Sequence, residues 1–195
     1  MSVEKQSAIL LQETKLCRSG RIRTPSSYTY IWYELHRTEK AEKGKSLGGL
    51  ALGVVKSLNP SWVSEGDDSA EALTVEIWVE GFPIRLVCGY GPQEHNTMER
   101  KIKFWDYIKK EVDNAHTNGA AFILQCDGNL WAGKNIIPGD PHEQNQNGKL
   151  FSEFLDRNPS LSVVNALSLC EGIITRKKHM KSGTQESVLD FFYCV

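Results

Sequence analysis

The sequence lacks any long hydrophobic run. No stretch approaches the ~18–20 apolar residues of a membrane helix, and Met1–Ser7 holds no signal-peptide core. It also lacks a CxxC pair. Its five cysteines, Cys17, Cys88, Cys126, Cys170 and Cys194, are odd in number and widely spaced. That pattern suits neither a secreted disulfide framework nor a structural zinc site, and reads as buried thiols in a reducing, intracellular compartment. Repeats, low-complexity tracts and a Pro/Ser linker are missing too, so residues 1–195 are expected to form one domain. Net charge is nearly absent: 23 Lys+Arg against 24 Asp+Glu excludes a polybasic tail and an acidic solvating segment. That balance hides an asymmetry. Residues 1–60 carry ten Lys/Arg against five acids, and residues 61–160 carry nine against sixteen. A basic face is therefore compatible with a neutral molecule.

What is present is ordinary globular material, 40% hydrophobic and 24% charged, which excludes wholesale disorder. Short apolar runs alternate with polar turns. Strands are expected at Ser7–Gln12, Tyr28–Leu35 and Leu47–Lys56. Leu73–Val79 alternates, with Thr74, Glu76 and Trp78 opposite Leu73, Val75, Ile77 and Val79, as in a strand with one wet face. Gly81-Phe-Pro predicts a turn and Ile84–Tyr90 the antiparallel partner. Met98, Ile102, Trp105, Ile108 and Val112 make an apolar stripe in a helix over Asn96–Asn114, capped by Asn96 or Thr97. A strand at Ala120–Cys126, a long polar loop and a helix around Gly148–Arg157 come next. Short strands at Leu161–Ala166, Gly172–Arg176 and Glu186–Cys194 complete the chain. Many strands, few helices and a hairpin point to an α+β layered sandwich rather than an all-parallel sheet.

Three carboxylates interrupt this pattern. Glu13 ends Ala-Ile-Leu-Leu-Gln-Glu, Asp127 ends Ala-Phe-Ile-Leu-Gln-Cys-Asp with Asn129 two residues on, and Asp190 sits inside Ser187-Val-Leu-Asp-Phe-Phe-Tyr193. A carboxylate beside a buried strand is costly unless it meets a donor or a metal. Gathered at one sheet rim, these three would offer the few hard oxygen ligands that Mg²⁺ takes, leaving room for water and phosphate oxygens. Taken singly, each also reads as a turn residue, a cap or a satisfied structural acid.

Four segments, in order, carry a resemblance. Leu10-Leu-Gln-Glu-Thr-Lys-Leu16 resembles a strand ending in a metal-binding glutamate, and Val87-Cys-Gly-Tyr-Gly-Pro92 one ending in Tyr-x-Pro. Cys126-Asp-Gly-Asn129 resembles Gly-Asp-x-Asn, and Ser187-Val-Leu-Asp-Phe191 resembles Ser-x-Ile-Asp-Tyr. Together, from about Ala8 to Val195, they are similar to the endonuclease/exonuclease/phosphatase family. The match is to the apurinic-endonuclease-like domain of non-LTR retrotransposons, which are reverse-transcriptase-associated elements. The resemblance implies a four-layer sandwich of two packed, mostly antiparallel sheets flanked by helices. It implies a hydrolase that nicks DNA with Mg²⁺ in the nucleus. By the same resemblance Glu13 would be the metal ligand, and Asp127 would orient or deprotonate the attacking water. Asn129 would fix a phosphate oxygen or Asp127, Tyr90 would hydrogen-bond the phosphate, and Asp190 would orient a histidine. Such chemistry needs mainly positioning and electrostatics.

The family also has an asparagine-bearing strand before the glutamate motif and a Ser-Asp-His after the last one. Only Met1–Ser7 precede the first strand here, and the chain stops at Val195. The expectation is therefore a sandwich lacking the family's first and last core strands. Its activity would be weakened, since such donors are each worth ~10²–10³ in rate, and exposed sheet edges would favour a homodimer. Of the five histidines none follows Asp190, and His142 reads as loop surface. Cys126 stands where the family has glycine. Trp32, Trp62, Trp78 and Trp105 read as packing residues, whereas Trp131 lies close enough to the rim to lean on a nucleotide. Arg18, Arg21 and Arg23 are candidate phosphate contacts. So are Arg176, Lys177 and Lys178, in a run (Thr175–Lys181) that reads as a loop between strands. The competing functions are a catalytically inactive derivative that binds DNA or protein, and a phosphatase or lipid phosphodiesterase on the same fold.

Overall fold

The computed structural model describes residues 7–14, 30–36, 48–66, 71–138, 140, 142–167, 176–180, 183–187 and 190–194; for residue 165 and from 176 onward it describes the backbone alone. The strands are β1 (Ala8–Leu11), β2 (Tyr30–Leu35), β3 (Leu50–Val55), β4 (Ser61–Glu65), β5 (Ala72–Val79), β6 (Phe82–Tyr90), β7 (Ala121–Asp127), β8 (Ser162–Val163), β9 (Arg176–Met180), β10 (Gly183–Ser187) and β11 (Asp190–Cys194). Two helices, α1 (Met98–Thr117) and α2 (Gln146–Arg157), flank β7 in the chain.

Glu80 and Gly81 both take left-handed backbone, at φ 51° and 86°, and so turn β5 directly into β6. Two positive-φ residues suit the right-handed twist of a hairpin, and glycine adopts the second at no steric cost. From this hairpin grows a six-stranded sheet in the order β4-β5-β6-β7-β11-β8. Only the β6–β7 pair is parallel, which is what a crossover through α1 produces. A second sheet, β1-β3-β2, is antiparallel throughout, and β9 pairs with β10 as a separate hairpin.

Leu50, Leu52 and Val54 of β3 meet Leu73, Val75, Ile77, Leu86 and Cys88 of β5 and β6 in a fully apolar core between the sheets. On the other face of the larger sheet, Val87, Phe122 and Leu124 pack under Phe104, Trp105, Ile108 and Val112 of α1 and Phe151 and Phe154 of α2. The architecture is thus an α+β sandwich, with three layers among the described residues: small sheet, large sheet, helices.

Four expectations shift. The buried face of α1 is Lys101, Phe104, Trp105, Ile108, Glu111, Val112 and Ala115, while Met98 and Ile102 stay exposed, because the helix meets the sheet about one position round from the apolar stripe. The face of β5 expected to be wet is dry at Thr74, where α1 covers it. There Thr74 and Ser64 bond the Tyr107 hydroxyl at 2.8 and 2.9 Å, and Glu111 receives Ser64 and the buried Arg85. Strand β4 was not legible in its sequence, Ser-Trp-Val-Ser-Glu, which carries a register shift between Trp62 and Ser64. The run from Arg176 is an arm of the β9–β10 hairpin rather than a loop. Gly172–Thr175, expected to begin a strand, lies outside the described residues.

Candidate active site

Three of the expected site residues stand in a row because of strand register. Tyr90, last in β6, pairs with Asp127, last in β7, and Asp190, first in β11, pairs with Asp127 from the other side. Glu13 arrives from the other sheet, two residues beyond β1, in left-handed backbone at φ 49°. The Tyr90 hydroxyl donates to Glu13 Oε1 at 2.8 Å, and the Gln12 amide donates to the Gly89 carbonyl at 2.8 Å. These two bonds fasten the end of β1 to the end of β6.

The loops that follow β6 and β7 are held at backbone contact. Gly91 N donates to Asp127 O at 2.7 Å, and a Cβ on Gly91 would lie 2.5 Å from Gly128 O. Asn129, in left-handed backbone at φ 45°, donates its N–H to Asp127 Oδ1 at 2.9 Å and its side-chain amide to Gly91 O at 2.8 Å. The first turn of α2 closes the arrangement. Asn145 Oδ1 accepts from Gly148 N and Trp131 N, and Asn147, fully buried, donates to Pro92 O and Asn129 O. A Cβ on Gly148 would come within 2.0 Å of Trp131 O, so only glycine lets the helix end sit on this loop. The buried Lys101 ammonium joins in, donating to Glu94 O at 2.7 Å and Gln146 Oε1 at 2.8 Å.

Burial raises the Tyr90 pKa, with the Gln93 and Asn129 hydrogen bonds opposing and the Glu13 hydrogen bond and charge adding to the rise. Tyr90 therefore stays a phenol, able to donate, at every physiological pH. Cys88, buried beneath it, is pushed up to about 12 by desolvation and then by the Glu71 charge. It is an inert thiol. Cys126 is also buried outside any disulfide, as expected, and the glycine that the sequence lacks at this position is supplied opposite, at Gly89. A Cβ on Gly89 would sit 3.2 Å from Cys126 Cβ.

The structure thus brings Glu13, Tyr90, Asp127 and Asn129 together and sets the backbone of Asp190 among them. Trp131 follows, 39% exposed, stacked on His142 with ring centroids 4.7 Å apart. Trp105 is buried and packs on Phe151, as expected of a core residue. Trp62 packs on Tyr33 with ring centroids 5.9 Å apart while 42% exposed, and Trp78 is 44% exposed. Arg176, Lys177 and Lys178 belong to β9, and Arg18, Arg21 and Arg23 lie outside the described residues. Sequence reasoning missed Asn145, Asn147, Lys101 and Glu71. The last accepts from Gly49 N through its carboxylate (2.6 Å) and from Tyr90 N through its carbonyl (2.8 Å). Gly49 O in turn accepts from Thr14 N at 3.1 Å, next to Glu13. The signals were there as Asn145-Gln-Asn-Gly148 and Gly48-Gly49, capping and turn sequences whose long-range partners no local pattern reveals.

As a cation site the rim offers hard oxygen donors. Glu13 is exposed, with one carboxylate oxygen engaged by Tyr90, and the described thiols, Cys88 and Cys126, are fully buried. This donor chemistry fits Mg²⁺ better than zinc or another soft-ligand metal. Among the described residues no three His, Cys, Asp or Glu side chains gather as a metal-holding group.

No model of a known protein family matches the sequence, and no curated protein sequence matches it. Solved structures do. An endonuclease/exonuclease/phosphatase family protein from Leptotrichia buccalis superposes with a TM-score of 0.62 at 15% identity, over 96% of this chain and 75% of that one. A 3'-5' exonuclease from Neisseria meningitidis gives 0.64 at 15% identity, over 98% and 77%. The chain therefore has the endonuclease/exonuclease/phosphatase fold. The endonuclease domain of TRAS1, a telomere-specific non-LTR retrotransposon, is also similar, at TM-score 0.50 and 15% identity over 84% of this chain and 67% of that one.

Proposed function

We propose that this chain hydrolyses phosphodiester bonds in DNA with a divalent cation held at Glu13, in the manner of a retrotransposon nicking endonuclease. The observation that carries this reading is the Tyr90–Glu13 hydrogen bond of 2.8 Å, which links the two sheets at the level where Tyr90, Asp127 and Asp190 stand in register. A buried phenol spent on an exposed carboxylate makes little sense as packing, and good sense as a support that orients a ligand. The fold's solved neighbours include an exonuclease and an endonuclease domain by name, which supports the same reaction class.

In this proposal Glu13 holds Mg²⁺, and Asp190, whose backbone pairs with Asp127, is a further carboxylate of the same rim. When bound, the cation supplies charge neutralisation at the scissile phosphate and leaving oxygen. Asp127 takes the proton of the attacking water, its carboxylate aimed by the Asn129 N–H. Asn129 keeps the Tyr90 and Asp127 loops at a fixed separation through Gly91 O. Tyr90, held protonated by burial, has a single O–H, which fixes the Glu13 carboxylate and would reach a phosphate oxygen only by leaving Glu13 to the cation. Phosphate contacts from Arg18, Arg21, Arg23, Arg176, Lys177 and Lys178, a nuclear location, and pairing of two copies through sheet edges belong to the same proposal. Salt-dependent DNA affinity and sedimentation test the first and last of these.

A second function open to the same fold is a catalytically inactive sandwich that binds DNA or a protein. Relaxation of supercoiled plasmid in Mg²⁺ separates the two. Nicking that EDTA stops, and that Glu13→Ala and Asp127→Ala abolish, supports the enzyme. A parent chain indistinguishable from both variants, yet retaining DNA in a salt-dependent way, supports the binding module.

A further inference from the structure

We propose that the stacked rings of Trp131 and His142 form a shelf for one unpaired nucleobase next to the scissile phosphate, so that the preferred substrate is DNA with an unstacked base rather than regular duplex. This deepens the phosphodiesterase proposal and rests on it. Trp131 belongs to neither apolar core and is 39% exposed, yet it is not loosely held. Its N–H donates to Asn145 Oδ1 at 3.2 Å, and its carbonyl lies directly against Gly148. His142 is mounted as firmly from the other arm of the loop. Its N–H donates to Asp140 Oδ1 at 3.0 Å, while Asp140 Oδ2 receives Gly133 N at 3.0 Å. The Gln144 amide reaches across to Ala132 O at 2.8 Å, tying the two arms together. The result is two stacked rings 4.7 Å apart and 21° from parallel, carried on loop arms that these backbone hydrogen bonds hold in place.

Position gives the pair its use. Trp131 is two residues beyond Asn129 and four beyond Asp127, hence at most about 14 Å along the chain from the proposed base. Asn145, which holds Trp131, also donates to Asn129 O at 3.3 Å, so the shelf and the Asp127 loop move as one body. An exposed, rigid aromatic face stacks on any base without regard to sequence, and does so only where the base has lost its own neighbour. In a paired helix both faces of each base are already covered.

The test is binding by fluorescence anisotropy, with the full chain and three labelled DNAs of equal length: a single strand, the same strand made abasic throughout, and a blunt duplex. The expected result is that Trp131→Ala weakens the single strand about tenfold, Trp131→Phe restores most of it, and Trp131→Leu does not. His142→Ala costs a few-fold, and neither alanine variant changes binding of the abasic strand or the duplex. Equal losses on the single and abasic strands would make the rings a mere support, and overturn the proposal. So would parent-like binding by Trp131→Ala, or a parent that binds none of the three DNAs. Because no cleavage is read, a chain that fails to nick plasmid but shows this base-dependent contrast loses the enzymatic proposal while keeping the shelf.

Discussion

The strands β5, β6 and β7 end very differently at their two ends. At one end Glu80 and Gly81 close a hairpin whose neighbours, Trp78 and Phe82, are 44% and 72% exposed. At the other, the chain brings in Gln12, Asn129, Asn145 and Asn147, all donating or accepting across long sequence separations. Backbone approaches there are so close that Gly91 and Gly148 have no room for a Cβ. Both ends satisfy their strands. Left-handed backbone occurs at both, at Glu80 in the hairpin and at Glu13 and Asn129 in the rim; what the rim alone adds is the buried Asn147 amide and its long-range bonds. The lesson is that the rim is braced by bonds across long sequence separations, whereas the hairpin is closed by its own two-residue turn.

Four substitutions and a pH series sharpen or break that contrast. Asp127→Ala should lower plasmid nicking by ~10²–10³ or more, with the thermal midpoint almost unchanged; equal nicking by parent and variant erases the distinction between the ends. Asn147→Ala should cost about 2–3 kcal/mol, because Pro92 O and Asn129 O lose their donor. Calorimetry should show a midpoint lower by roughly 4–10 °C, and nicking should fall with it. An intact midpoint would mean the amide staple carries no load.

The pH series probes burial at the rim. Cys88 and Tyr90 have folded pKa values above their ordinary 9.0 and 10.0, so the folded state keeps their protons longer than the unfolded chain does. Their contribution to stability is complete below about pH 9 and is lost as pH rises through the raised values. Denaturant midpoints should be flat up to about pH 9 and fall above it, with Cys88→Ala removing the first part of the fall. At the far end, Gly81→Ala forces a side chain into φ 86° with nothing nearby to clash. It should cost only about 1 kcal/mol and leave nicking untouched. Trp78→Ala should change neither readout measurably; a loss of nicking there would show that the hairpin end is functional after all.

Much of this was legible before the structure. The alternation in Leu73–Val79 and the run Ala120–Cys126 mark strands that form almost where expected, and Glu13, Asp127 and Asn129 stand out as polar residues at strand ends, whereas Tyr90 is marked only by the family resemblance. What local pattern could not convey was coverage. Thr74 looks solvent-facing until α1 lies on it, and Ile102 looks buried until the helix turns it outward. His142 reads as an ordinary loop residue because its stacking partner is eleven positions away. Asn145 and Asn147 look like helix caps, which Asn145 is, but their bonds to Asn129 depend on two loops meeting at glycine contact distance.

The most direct test of the rim as a cation site is an anomalous-diffraction map from crystals of the chain soaked in Mn²⁺. The account predicts one strong peak bonded to the Glu13 carboxylate, on the side facing Asp127, that disappears in Glu13→Gln. A map with Mn²⁺ bound only elsewhere, or unchanged in the Glu13→Gln crystal, would contradict it.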